Sequence, residues 1–428
     1  MRAGVAHIDI TPPVGVDLTG YVARLGPSVG VHDALHARAL VLEEGSARAA
    51  LVVCDLLALS SATVSAARMS VAQAIGTTPD RVMMACTHTH SGPATLFLHQ
   101  CGEVSPAYVA ALPVRLGEAA AIASGRLRPV GVAAGWGALP EGAFNRRRSG
   151  PEPDASVGVV QLKGLDGVAV ATLMTYGCHP VVMGPENLLI SADYPGAAVA
   201  AVEGALGGAG LFLTGASGDV NPRRRGSFDD VAWLGERVAA EVARVAERLG
   251  PGEEGHLICV SEMLDLPLLP GPGDAELRAL VVSYRHVLHE AEAAGEPVAI
   301  RVGRAMLGWA EGLAARVRAG TVTASIRVEI QAIGLGPAVL VGVPGELFSG
   351  LGARITAGSA AVFVAGYTNG DVGYIPDREA YDAGGYEVSD AYKYYDAPAA
   401  LAPEAGEMIV DAARRVSGLV IRNVGRTV

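Results

Sequence analysis

Two of the ten histidines in this 428-residue chain sit one residue apart in Thr87-His88-Thr89-His90-Ser91-Gly92-Pro93, directly after the apolar run 82–86. In extended backbone, residues i and i+2 face the same side. His88 and His90 would then project together from the carboxyl end of a strand, where loops commonly carry function. That pair suits a metal site in which one imidazole ligates and the other stands beside the bound water as an acid or base. It equally suits a hydrogen-bonded polar strand end. A third histidine, His179, closes another strand-like run in Tyr176-Gly177-Cys178-His179-Pro180, where Pro180 has no N–H with which to continue a ladder. Alone, it reads as a satisfied structural residue. Glu346, in Val343-Pro344-Gly345-Glu346, falls at a strand-to-helix junction, where a carboxylate also favours a helix N-terminus. Two histidines and one carboxylate form a common zinc set that leaves positions open for water and substrate.

Other segments offer further chemistry. Gly215-Ala216-Ser217-Gly218-Asp219-Val220-Asn221-Pro222 follows a strand, and its glycines allow close backbone approach. It lacks the Gly-Lys-Ser/Thr ending of a phosphate loop. The run Asn145-Arg146-Arg147-Arg148 could stabilise an oxyanion or be a solvated charge run. The tyrosines at 374, 381, 386, 392, 394 and 395 are explained by packing with the hydroxyls turned to water.

These residues need a scaffold. Strand-like runs at 37–42, 49–54, 81–86, 168–176, 210–213, 338–343 and 361–365 alternate with helix-periodic stretches at 62–75, 106–122, 195–206 and 229–249. The alternation predicts an α/β fold, a mixed β-sheet core flanked by helices. Residues 274–318 read as a helical hairpin broken near Gly295-Glu296-Pro297. With no repeat or low-complexity linker, the chain is read as one domain, 1–428, carrying that hairpin as an embellishment.

Composition removes several classes. The net charge is −11 and there are only two lysines, Lys163 and Lys393, so no basic stripe exists for nucleic acid. No apolar stretch reaches eighteen residues, which predicts no membrane span. The start, Met1-Arg2-Ala3-Gly4-Val5, is not a secretory leader, and a cytoplasmic location is the expectation. The five cysteines are odd in number and form no C-x-x-C pair, which predicts reduced thiols.

Taken together, the motifs resemble the neutral (non-lysosomal) ceramidase family of zinc amidases. The match begins at Gly4-Val5-Ala6-His7-Ile8-Asp9-Ile10-Thr11-Pro12 and passes His32 and Ala37-Arg38-Ala39. The family's T-H-T-H-S-G-P signature is unbroken at 87–93. Asn145-Arg146, Ser191-Ala192-Asp193, Gly218-Asp219-Val220, Pro344-Gly345-Glu346 and the tyrosine-bearing segment from Thr368-Asn369 to Tyr386-Glu387 follow in order. The resemblance implies Zn²⁺ held by His88, His179, Glu346 and Tyr374, with His90 as proton shuttle and Arg146 and Tyr386 at the scissile carbonyl. It implies a ceramidase catalytic-domain fold and hydrolysis of a carbon–nitrogen amide bond, in an N-acyl or cyclic amide, by zinc-activated water. Two departures stand out. Asn221 occupies the place of a serine once proposed as nucleophile, so Asn221 is expected only to contact substrate. The chain also stops soon after the tyrosine segment, without the family's C-terminal immunoglobulin-like domain, and a substrate other than ceramide is expected. The alternatives are an esterase or lactonase on the same site, or a non-catalytic metal-binding relative. The expected partner is a small-molecule amide or ester, with no nucleic acid; a homo-oligomer is compatible with everything above.

Overall fold

The run Val-Met-Met-Ala-Cys has no polar member, a pattern that suits only a strand covered on both faces. It forms the strand Val82–Cys86, buried at all five positions. The computed structural model describes residues 1–147 and 152–424; Arg148 of the arginine run lies outside them.

Val82–Cys86 is one edge of an eight-stranded sheet. From the far edge the order is Ala209–Thr214, Ala169–Tyr176, Ser156–Gly164, Arg128–Ala138, Arg2–Asp9, His36–Glu44, Ala47–Cys54 and Val82–Cys86. The central pairings are antiparallel. Only the two outermost pairs are parallel. A parallel pair needs a crossover, and the helices Asp193–Leu206 and Ser61–Ile75 supply them. The second is closed at both ends: Ser60 accepts from the Thr63 N–H, and Gly76 takes a left-handed cap.

A second sheet of four strands runs Leu257–Pro267, Ser325–Leu335, Ala338–Gly342, Val362–Ala365, with its last pair parallel. Leu40, Leu51, Val160, Leu173 and Leu211 of the large sheet pack against Ile333, Leu340 and Phe363 of the small one. The other face of the large sheet is covered by helices Ser61–Ile75 and Pro106–Ser124 at one end. Helices Asp193–Leu206 and Phe228–Ala246 cover it at the other. The outer face of the small sheet is covered by Glu404–Val424 through Ile409 and Val416. The layers are therefore helix, sheet, sheet, helix, which is the expected mixed-sheet α/β class with a two-sheet interior.

The helical hairpin is present as Asp274–Ala294 and Pro297–Ala319. It leaves the small sheet at Pro267 and returns at Ser325, residues that pair with each other. Ala305 and Met306 pack with Leu98, Cys101 and Tyr394, so the hairpin leans on the tyrosine segment. Among the described residues no helix is long and apolar enough to cross a membrane. All five cysteines are free.

Candidate metal centre

In open sheets, ligands gather outside the carboxyl ends of parallel strands, and here several such ends converge. Val82–Cys86 is followed by His88 and His90, and Ala169–Tyr176 by His179. The parallel pair of the small sheet is followed by Glu346 on one strand and Tyr367 on the other. The expected strand alternation is not what unites the histidines. The strand stops at Cys86, and His88 sits in left-handed backbone with φ 66°. Such a conformation in a non-glycine residue is costly and tends to be found at functional sites.

The imidazoles meet nonetheless. His88 Nε2 lies 3.2 Å from His179 Nε2 and 3.3 Å from His90 Nε2. Glu346 Oε2 lies 3.5 Å from His88 Nε2 and 3.2 Å from His179 Nε2. All four residues are buried. His88 Nδ1 is 2.9 Å from the Leu57 carbonyl, and His179 Nδ1 is 2.9 Å from that of Ser217. A carbonyl can only accept, so each Nδ1 carries the proton and each Nε2 is left with a lone pair. Two lone pairs and a carboxylate oxygen thus point at one place, and Oε2 has no hydrogen-bond partner. Buried acceptors facing one another repel unless a cation lies between them. The donor set therefore fits a metal, and the tie from Nδ1 to a carbonyl is the support that ligating histidines usually have. His88, His90 and His179 could together hold an ion, their ligand atoms lying within 4.8 Å of one another.

The electrostatics agree. Burial lowers His179 to about 4. Burial, reinforced by His88 and His179, holds His90 well below the ordinary histidine range. Burial would raise Glu346, but the close approach of His179 and His88 holds it well below the carboxylate range. His90 and His179 are thus neutral and the Glu346 carboxylate ionised near pH 7, the states that metal binding requires.

His90 differs from the other two histidines. Its Nδ1 is buried without a partner, so nothing fixes its tautomer. Its ring lies tilted against that of Tyr21, at 4.9 Å between centres, and its carbonyl accepts from Arg24. Gly20, with φ +94°, lies over the ring, and a Cβ there would come within 2.3 Å of Nδ1.

The remaining candidates line the same cavity of about 300 Å³. Arg146 is fixed by Glu387 at 3.0 Å and the Gly218 carbonyl at 2.8 Å, and its Nη1 is 3.5 Å from Asn221 Oδ1. Tyr374 is the register partner of Glu346. The Arg146 guanidinium lies over its ring at 5.3 Å, and its hydroxyl makes no hydrogen bond to Glu346 or the histidines. Tyr386 stands beside Tyr374, at 5.9 Å between ring centres.

Three contacts escape sequence reasoning. The Tyr395 hydroxyl donates to Glu346 Oε1 at 2.6 Å and lies 3.5 Å from Asp371 Oδ2; burial, then the charge of Glu346, raises Asp371 to about 7. Tyr367 stacks on His88 at 3.8 Å. Glu387 joins Arg146 to Arg147. Only the position of Glu387, next to Tyr386 in the tyrosine segment, offered a signal.

The family model described as neutral/alkaline non-lysosomal ceramidase, N-terminal, matches residues 1–230. Among solved structures, the chain is similar to the neutral ceramidase of Pseudomonas aeruginosa at TM-score 0.74 and 21% identity. That match covers 98% of this chain and 74% of the other. It is also similar to a ceramidase complexed with C2, at TM-score 0.72 and 20% identity, covering 98% and 75%. With more than half of its length matched by the family model and this architecture, the chain belongs to the neutral/alkaline non-lysosomal ceramidase family.

Proposed function

We propose that the chain is a zinc-dependent amidohydrolase that cleaves the carbon–nitrogen bond of a small N-acyl or cyclic amide. Family membership supports amide hydrolysis. The observation that carries the metal is the convergence of His88 Nε2, His179 Nε2 and the unpartnered Glu346 Oε2.

In this reading His88, His179 and Glu346 hold zinc, with Tyr374 beside them as fourth ligand. Bound there, the ion would supply Lewis acidity towards a carbonyl or a water. His90 would hold the proton lost by the attacking water at Nε2, the nitrogen that faces His88. Its lowered basicity then favours passing the proton to the departing nitrogen. Arg146, anchored by Glu387, and Tyr386 stabilise negative charge developing on the acyl oxygen. Asn221 contacts the substrate; a carboxamide is no nucleophile.

The test is metal analysis of the purified protein followed by a panel of short-chain amides and the matching esters. About one zinc per chain and amide turnover abolished by chelation are expected. Zinc-loaded protein that turns over no acyl substrate would overturn the reading. Turnover confined to esters would replace the amidase with an esterase on the same site.

A further inference from the structure

The cavity beside the histidines is also lined by groups that only donate. Two guanidinium groups line it, those of Arg146 and Arg225. The charge of Arg146 is met by Glu387 at 3.0 Å. Arg225 has no such partner. Its two predecessors do: Arg223 pairs with Glu152 at 3.5 Å and Arg224 with Asp230 at 2.8 Å. Arg225 is held instead by a neutral acceptor, donating from Nε to the Val181 carbonyl at 3.1 Å. Among the described residues it makes no ion pair. Its charge thus sits at the exposed mouth of the cavity, met by solvent until an anionic group enters. Asn221 shares that wall. The Asn221 Oδ1 faces Arg146 at 3.5 Å, and its Nδ2 has no acceptor among the described residues. Arg225 and the Asn221 amide nitrogen thus offer donors only. They call for an acceptor-rich, negatively charged group, and a guanidinium suits a carboxylate in particular.

Size narrows the class. About 300 Å³ lies at the small end of ligand cavities. Resting on the amidohydrolase reading above, we infer that the substrate carries a carboxylate close to the scissile amide, selected by Arg225 with Asn221. The substrate class is short-chain N-acyl amino acids. Water adds its oxygen to the acyl carbon, the C–N bond breaks, and a proton goes to the departing nitrogen. The products are a short carboxylic acid and a free amino acid. A head group bearing only hydroxyls would gain no ion pair with Arg225, which makes the carboxylate a discriminating feature.

The experiment compares N-butanoylglycine with N-butanoylethanolamine, which share the amide and differ in a carboxylate against an alcohol. Zinc-loaded protein is assayed by release of primary amine. The wild-type protein is expected to favour N-butanoylglycine in kcat/KM by about tenfold or more. Arg225→Gln should lower that preference about tenfold, chiefly through KM, the loss expected at the low end for one exposed charge-assisted hydrogen bond. Arg225→Lys should restore part of it, and the zinc content of both variants should equal that of the wild type. A wild-type preference near one, or a preference unchanged in Arg225→Gln, overturns the inference while leaving the amidohydrolase reading intact. If zinc-loaded wild type cleaves neither compound, the amidohydrolase reading is what fails for this class. Calorimetric binding of the same two molecules then decides on Arg225. Tighter binding of N-butanoylglycine that is lost in Arg225→Gln supports the anion site, and equal binding of both refutes it.

Discussion

Tyr395→Phe isolates one hydrogen bond at the proposed metal centre. The two oxygens of Glu346 have separate tasks: Oε2 faces His88 and His179, and Oε1 accepts from the Tyr395 hydroxyl at 2.6 Å. Glu346 is 2% exposed, so its carboxylate has no bulk water to fall back on. Removing the hydroxyl keeps the ring and frees the carboxylate to turn away from the histidines. A supporting bond of this kind is typically worth ten- to a hundredfold in metal affinity, or roughly 1.4–2.8 kcal/mol. A larger cavity of about 790 Å³ also has Tyr395 in its wall. A water entering from that side could replace the hydroxyl, which sets the expectation nearer tenfold than a hundredfold. The assay is zinc affinity by competition with a chromophoric chelator at pH 7.5, wild type against variant. A zinc Kd within twofold of wild type would refute the idea that this tyrosine holds the carboxylate in its ligating position.

Three further outcomes are expected. His88→Ala and His179→Ala should lose both zinc and turnover, whereas His90→Ala should keep zinc and lose turnover by about 10²-fold or more; a zinc-replete His90→Ala enzyme with wild-type kcat removes the shuttle role. In the metal-free protein, His179 is lowered to about 4, while the unfolded chain titrates near 6.5. Between those values the unfolded state binds a proton that the folded state does not. Stability is therefore lost as pH falls from about 6.5 towards 4, by up to roughly 3 kcal/mol; urea unfolding with chelator present checks this, and a flat profile would contradict it. Gly20→Ala places a methyl 2.3 Å from His90 Nδ1 in backbone with φ +94°, and turnover should fall with zinc content unchanged; a fully active variant would show that this loop yields freely.

Much of the scaffold could be read from residues alone, where pattern and environment coincide. The run 82–86 is apolar because both its faces are covered, and the helix-periodic stretches sit where the parallel edges need crossovers. The strand Arg128–Ala138 was not legible: Gly135 and Gly137 lower its strand propensity, yet a Cβ at either would strike Val245 of the covering helix. Nor does any local pattern announce that two sheets pack face to face. At the site, His88, His90, His179 and Glu346 are brought together with His88 in a left-handed turn rather than by strand alternation. Tyr395 and Arg225 stayed hidden for one reason. Each belongs to a run of like residues, and only tertiary placement distinguishes the tyrosine that reaches Glu346 or the arginine that lacks a counter-charge.

The hairpin Asp274–Ala294/Pro297–Ala319 leaves and rejoins the small sheet at the paired residues Pro267 and Ser325, and Leu268 N–H bonds to the Ala324 carbonyl at 3.0 Å. The two ends of the excursion are thus already closed against each other, so its length can change at little cost in loop entropy. It leans on the cavity-lining Leu98 and Tyr394 through Ala305 and Met306, while the histidines are carried by other strands. Such a module can be exchanged among relatives to reshape one wall of the cavity, letting substrate range drift while the chemistry stays fixed.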